Sequence, residues 1–449
     1  MPDPGRARPP DRRRQEAMVR RAVTELSPGM VLAEDVLTPG GRFLMPRGTV
    51  LDVGHLKSLL AWNLAEVRVA GEALACPDAP AAAAPDAAQG RPDVLEAAEA
   101  AVRERFACCS LVTSPCDVLF RLAMDREVRR RLAEGVPAGE GGEDRSWRTV
   151  ESEPGHLAMD ALLRDEPQLV SPPEVYLRIS AVLGDPASTV EDAAESIKHD
   201  PSLAAKLLRL VNSSYYARTM RAMRGRFPAK IDSLSRAVTV VGARQLATLA
   251  LGVSVLPLFQ DIPQKWVNMR LFWEHSVGCA AAAQALAAAT GLVNPETAFV
   301  AGLLHDIGRI IAFKQAPAHM AAAMRRAEAE GCPLHLAERE VLGFDHAALG
   351  GHLLQKWQFP ANLEKMVRYH HDLDEPFIID EPAVVHLADA VATAMGWGGS
   401  GNRRIPAVNP AAWAALGLTG ESLTALVPDM EERLADTMRS FFPDHQGPP

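Results

Sequence analysis

From Pro154 onward the chain is an almost unbroken succession of segments with apolar residues at helical spacing and very few β-branched runs. That pattern dictates an all-α domain of roughly ten or more helices. At 449 residues the chain is too long for one compact core, so several parts joined by linkers are expected. With 48% apolar residues it can bury a large interior.

Upstream the pattern changes. An apolar run at Met30 to Leu37, a Pro39-Gly40-Gly41 turn, a second short run and Pro46-Arg47-Gly48 predict a hairpin. A short helix near residues 53–61 and a strand from Glu66 to Val69 would complete a small β-rich module over residues 23–72. Residues 1–22 carry Arg6, Arg8, Arg12, Arg13 and Arg14 among prolines with no apolar core behind them, and read as a disordered leader. Residues 73–92, mostly Ala, Pro and Asp, read as a linker. Residues 93–154 read as a helical connector: Asp93 and Glu96 form an expected capping box, a second helix runs from about Pro115 to Glu134, and a Gly-rich stretch follows. The main helical domain is placed at 155–392. A tail at 393–449 has a break at Gly396 to Asn402, one helix opened by Pro410 and one amphipathic helix through Met430, Leu434 and Met438. The expected fold class is therefore mainly α.

The formal charge is −9 with basic residues scattered beyond the arginine-rich start, which argues against nucleic acid as a partner. Six cysteines show no CxxC pairing, as expected of reduced thiols in a cytoplasmic protein. No stretch reaches the roughly 18–20 apolar residues of a spanning helix, and the nearest, Val277 to Val293, is alanine-rich and contains Gln284, so no membrane association is expected.

Nine of the thirteen histidines lie between His275 and His386. Histidine is the commonest side-chain metal ligand and carboxylates complement it, so a buried His/Asp metal cluster is the reading to test. The order is His275, then His305-Asp306-Ile307-Gly308, then Asp345-His346, then His370-His371, then His386 and Asp389. Adjacent residues on a helix point about 100 degrees apart, so His305 and Asp306 can serve one ion only near the seam between their directions, in a bundle core. The bland alternative is that the histidines are ordinary packed or surface residues. His319, His335 and His352 are expected to be so, and the charges from Arg325 to Glu340 read as solvated helix faces.

The succession His, His-Asp, His, His-His, Asp in an all-helical domain resembles the HD phosphohydrolase superfamily. The resemblance implies that His275, His305, Asp306 and Asp389 are core metal ligands, and that His346, His370 and His371 are the further ligands of two-metal members, with Asp306 bridging. One or two divalent ions, iron, manganese or zinc, are implied as cofactors. In an enzyme, Asp306 and Arg309 would be catalytic, Arg309 holding a phosphate oxygen while metal-bound hydroxide attacks a phosphoester.

A finer likeness is to the HDOD domain, the signalling branch. It is carried by Asp200-Pro201-Ser202-Leu203, by Leu207 to Tyr216 with Asn212-Ser213-Ser214, by Ala237-Val238 and Val241-Gly242, and by Gly302 to Gly308, Asp345-His346, Trp357, Pro360 and His370-His371. Leu26 to Val36 with Arg47 to Leu51 resembles a small module found ahead of HD-type phosphodiesterase domains. Two departures separate the chain from the cyclic-dinucleotide phosphodiesterases: Asp372-Leu373-Asp374-Glu375-Pro376 follows the paired histidines in place of a Gly-Tyr-Pro motif, and position 309 is Arg rather than Lys. The resemblance thus implies a bacterial signal-transduction output module that binds a signalling protein or small nucleotide ligand, with a metal-dependent phosphohydrolase of nucleotides or cyclic nucleotides as the alternative.

Overall fold

The computed structural model divides the chain into two units, Met1–Ala81 and Ala82–Pro449. It describes residues 18–22, 32–33, 36–37, 43–45, 49 and 66–70 of the first, and 91–111, 115–134, 155–164, 174–185, 189–222, 231–256, 267–373 and 379–442 of the second.

In the first unit β1 (Met18–Ala22) pairs antiparallel with β4 (Glu66–Ala70), and β2 (Val36–Leu37) with β3 (Phe43–Met45). These are two separate two-stranded ribbons, so a β-rich module over residues 23–72 is not supported. Short period-2 runs specify local pairing but not which ribbons join into one sheet. Residues 18–22, expected in the leader, are strand because Val19 and its neighbours pair with Val69 and Val67. The expected helix near residues 53–61 and the linker core at 73–90 lie outside the described residues.

The second unit is all helix among its described residues. Its helices are α1 (Pro92–Arg105), α2 (Cys116–Glu134), α3 (Met159–Arg164), α4 (Glu174–Gly184), α5 (Val190–Lys198), α6 (Pro201–Val211), α7 (Ser214–Ala222), α8 (Leu234–Val241) and α9 (Ala243–Ser254). They continue as α10 (Met269–Thr290), α11 (Pro295–Leu304), α12 (Ile307–Gln315), α13 (Pro317–Glu330), α14 (Leu334–Leu342), α15 (His346–Lys356), α16 (Ala361–Arg368), α17 (Asp380–Met395), α18 (Pro410–Leu416) and α19 (Gly420–Phe441). No single described helix is long and apolar enough to cross a membrane.

Helix α10 is the axis of the bundle. Asn268 caps it, accepting from the backbone of Arg270 and Leu271, and Gly291 ends it in the left-handed conformation. Because its middle is Ala280–Ala283, Ala285 and Ala287, neighbours come close on every side and the helix is buried all round, packing on α11, α17 and α19. A Cβ at Gly302 of α11 would lie only 2.8 Å from the Ala280 Cα. Alanine on one helix and glycine on the next therefore set the approach that brings the histidines of both together.

Local expectations hold unevenly. Asp200 caps α6 through the Leu203 N–H at 3.0 Å, with Pro201 opening the helix. Asn212 ends α6 and also ties it to the chain beyond, donating to Ile231 O and accepting from Ile231 N. Asp93 does not form the expected capping box: Arg91 is the N-cap, Pro92 occupies the first turn, and Asp93 pairs with Arg91. The proline, with φ preset and no N–H to satisfy, starts the helix two residues before the position an Asp93 cap would set.

The connector and the tail belong to the same compact unit as the bundle. Arg105 of α1 donates to the Ala394 carbonyl at the end of α17 and to Glu127 of α2, and its own carbonyl accepts from Ile405 N. Arg433 of α19 reaches Gln284 of α10, and Phe442 stacks on Trp273.

Helices α12 and α15 touch through Gly308 and Gly350. A Cβ at Gly308 would lie 2.6 Å from Gly350 N and inside contact distance of the His346 carbonyl oxygen. Gly308→Ala is expected to lower stability by about 1–3 kcal/mol through overpacking, read as a lower urea midpoint. Gly155→Ala, where a Cβ meets nothing within 4 Å, is expected to leave the midpoint within about 0.5 kcal/mol of the parent.

Candidate metal centre

Six helices contribute residues, from their bodies or their ends, to one buried point. His275 projects from α10. His305 closes α11 and Asp306 opens α12, so the helix breaks between them. Asp306 sits at φ −95°, ψ 8°, outside helical geometry, and the break lets two adjacent side chains converge that a straight helix would hold apart. His346 begins α15, whose N-cap Asp345 accepts from Ala348 N at 2.9 Å. His370 and His371 follow α16, and Asp389 lies in α17.

The inner group is His275, His305, Asp306, Asp389 and His370. His275 Nε2 is 3.3 Å from Asp389 Oδ1 and 3.6 Å from Asp306 Oδ2, and His305 Nε2 is 3.3 Å from Asp306 Oδ2. Within each of two triads, His275/His305/Asp389 and His305/Asp306/His370, the candidate ligand atoms all lie within 4.8 Å of one another. A third triad of the same spacing is His346/His370/His371. All seven residues expected as ligands are thus brought to one place.

Ring orientation is set from behind. His305 Nδ1 lies 2.8 Å from the Gly302 carbonyl and His370 Nδ1 lies 2.7 Å from the Val367 carbonyl. A carbonyl only accepts, so each Nδ1 carries a proton and Nε2 is the nitrogen turned into the cluster, where the neutral ring would offer its lone pair to an ion. Both Nε2 atoms are buried without a hydrogen-bond partner. A buried lone pair with no donor fits a cation, and these residues therefore fit a divalent ion. His386 is not among them: its Nδ1 donates to the His370 carbonyl at 2.8 Å and its Nε2 accepts from Asn409 N at 3.0 Å, which fixes the His370 backbone.

Beside this group lies a charge network that sequence reasoning missed. Arg309 donates Nε to Glu338 at 2.9 Å, Nη1 to Asp306 at 2.9 Å and to Ser400 at 2.6 Å, and its Nη2 is 2.8 Å from His346 Nδ1. The guanidinium is buried and engaged by protein partners at all three nitrogens. Glu338 also takes the backbone N–H of His346 and approaches His346 Nδ1 at 2.6 Å, while His346 Nε2 is 2.9 Å from Asp306 Oδ1. Glu338 was expected on a solvated face but is buried. The signal was present, because Glu338 is four residues from both Leu334 and Leu342 and shares their buried face of α14. His335, expected to be ordinary, is also buried, stacking on His371 with ring centroids 4.0 Å apart. Burial lowers its pKa to about 4. His319 and His352 stay at the surface, on the Gly155 carbonyl and Asp160.

The pKa directions follow from this crowding. Burial opposes ionisation of Asp306, Asp389 and Glu338, but the neighbouring cationic and hydrogen-bonding groups outweigh it and hold all three well below the usual carboxylate range. Burial likewise opposes a charge on His305, yet Asp306 overrides it and raises the pKa well above normal. Burial and Arg309 disfavour protonated His346, but Glu338 and Asp306 together raise it to about 9. Burial and the neighbouring histidines push His370 and His371 down. Three anionic carboxylates against one guanidinium leave two charges to balance. The raised pKa values of His305 and His346 favour protons there as part of that balance.

With this geometry in view, residues 169–373 match the HDOD domain model, and the chain carries an HDOD domain over that span. Asp389 lies beyond it. An uncharacterized protein of Treponema pallidum (strain Nichols) is 28% identical over 211 residues, which is 46% of this chain and 38% of the relative; the chain thus covers well under two thirds of that protein. An HDOD domain protein with unknown function from Geobacter sulfurreducens has a crystal structure 25% identical in sequence, with TM-score 0.51, covering 63% of this chain and 97% of that one. A Shewanella amazonensis SB2B structure, named for a candidate phosphohydrolase, is 24% identical with TM-score 0.49, covering 64% and 98% of the two chains.

Histidine binds a divalent ion only as the neutral ring and the His305 pKa is raised, so loading at neutral pH is expected to release protons and affinity is expected to fall as pH falls. Calorimetric titration in buffers of different ionisation enthalpy measures the release. A value of zero would contradict the charge balance.

Proposed function

We propose that this protein is a regulatory HDOD protein whose bundle acts by binding a signalling protein or small nucleotide ligand, and that its His/Asp cluster holds a divalent ion for structure. The observation that carries this reading is closure of the site. Exposure is 0% for His305 and His370, 2% for Asp306 and 3% for His275 and Asp389. Metal-assisted phosphoester hydrolysis needs the phosphorus beside the ion and a water in line, and these side chains leave a substrate no direct approach. The engaged state of Arg309 and the absence of a Gly-Tyr-Pro motif after His371 support the same reading.

The residues that would hold the ion are His275, His305, Asp306 and Asp389, with His370 completing the group. Imidazole nitrogens with two carboxylates suit iron, manganese or zinc. A bound ion would supply two positive charges that hold α10, α11, α12 and α17 together at their closest approach. The second reading, a metal-dependent phosphohydrolase of nucleotides or cyclic nucleotides, is favoured by one observation: the full ligand set of such enzymes converges here. In that case the ion would lower the pKa of a bound water towards about 7.

Two outcomes are expected. Ion-loaded protein turns over no phosphodiester or cyclic dinucleotide faster than its His305→Ala variant; ion-dependent turnover abolished by that substitution would establish the hydrolase instead. An ion at a hundred times its Kd stabilises the fold by about 2.7 kcal/mol, so chelation is expected to lower the unfolding midpoint of the parent and not of His305→Ala.

A further inference from the structure

We propose that Cys109 and Cys116 are a redox pair, which a hydroperoxide oxidises to a disulfide that closes the turn from α1 to α2. The pair shares no residue with the His/Asp cluster and does not depend on an ion there.

Local structure brings the two thiols together. Helix α1 ends at Arg105 and the chain turns at once, the Cys109 N–H donating to the Phe106 carbonyl at 2.9 Å. Phe106 packs edge-to-face on Phe120 of α2, ring centroids 5.3 Å apart. That contact folds the turn back over the start of α2, where Cys116 is the first residue. There the Cys109 and Cys116 thiols hydrogen-bond to each other. One stretch of chain backs both sulfurs: Cys109 Sγ lies 3.9 Å from the carbonyls of Ile405 and Pro406, and the Val408 backbone hydrogen-bonds to Cys116. Neighbouring cysteines are placed differently. Cys108 donates to the Gly331 carbonyl at 3.2 Å, and Cys279 is buried within α10.

The two sulfurs are unequal, as a redox pair requires. Cys116 opens a 19-residue helix, where unsatisfied N–H groups and the helix dipole favour a thiolate. The Cys109 S–H donates to it, which lowers the Cys116 pKa against burial and raises that of Cys109. Cys116 is 6% exposed and Cys109 is half-buried, so a small peroxide reaches the pair from the Cys109 side.

The Cys116 thiolate attacks a peroxide oxygen, the O–O bond breaks, and the departing alkoxide or hydroxide takes a proton from water. Cys116 is then a sulfenic acid. The Cys109 sulfur attacks the Cys116 sulfur, the S–O bond breaks, and hydroxide leaves with the Cys109 proton as water. Two thiols lose two electrons and the peroxide gains them. The new bond staples the turn beside Ile405, whose N–H donates to the Arg105 carbonyl, so oxidation acts on the junction where Arg105 fastens the end of α17.

Full-length protein, reduced and desalted, is treated with hydrogen peroxide, its remaining thiols are alkylated, and the tryptic peptide from Phe106 to Arg121 is weighed by mass spectrometry. That peptide carries Cys108, Cys109 and Cys116. One alkylated thiol and one internal disulfide are expected, with all three thiols restored by dithiothreitol. Cys108→Ser is expected to form the same disulfide, while Cys109→Ser and Cys116→Ser form none within the peptide. Three alkylated thiols after peroxide would overturn the proposal. So would a sulfinic acid in place of the disulfide, a disulfide that persists in Cys109→Ser, or a bond from either sulfur to another cysteine. Should Cys109→Ser or Cys116→Ser not fold, as judged by circular dichroism, Cys108→Ser decides, because it leaves a single possible pair in the peptide.

Discussion

Buried carboxylates need buried cations, and in this bundle that requirement organises everything near the centre. Taking an ionised carboxylate out of water costs several kcal/mol even after relaxation, and Asp306, Asp389 and Glu338 are all buried within one cluster. Arg309 meets part of the demand through Glu338 and Asp306. Protons favoured on His305 and His346, or an ion, meet part of the rest. The conformations of α12, α14 and α15 depend on this arrangement, since Glu338 also holds the His346 backbone N–H and Asp306 opens α12.

The surrounding helices exist to make that centre rigid and dry. The alanines of α10 and the glycines at 302, 308 and 350 allow backbones to approach more closely than larger side chains permit. Carbonyls at Gly302 and Val367 then aim the rings of His305 and His370, and His386 holds the His370 backbone in turn. The flanking pieces contribute by covering: α1 fastens the end of α17 through Arg105, and α19 lies along α10 through Arg433. A site enclosed so completely suits a stabilising ion better than a substrate that must enter and leave.

Much of this was legible in residue order. Helical periodicity after Pro154 announced an all-helical bundle, and the spacing of His275, His305-Asp306, His346, His370-His371 and Asp389 announced the cluster, because ligands must come from several facing helices. Glu338 and His335 were not picked out: one charge among seven on neighbouring helices reads as solvated until its face is matched to Leu334 and Leu342. The connector and tail pack into the same compact unit as the bundle, which a proline- or glycine-rich break cannot reveal, since it shows where helices stop but not whether the next helix returns to the same core.

The sequence by itself determined the helical class and the seven candidate ligands, though not Glu338 or His335 beside them, because period and residue type are local properties. Only the tertiary structure decided which nitrogen faces inward, that Arg309 is spent on Glu338, Asp306 and His346 rather than open to a ligand, and that the cluster is closed to solvent. Those depend on distances between segments far apart in the chain, and charges in a dry interior choose their partners by proximity in space.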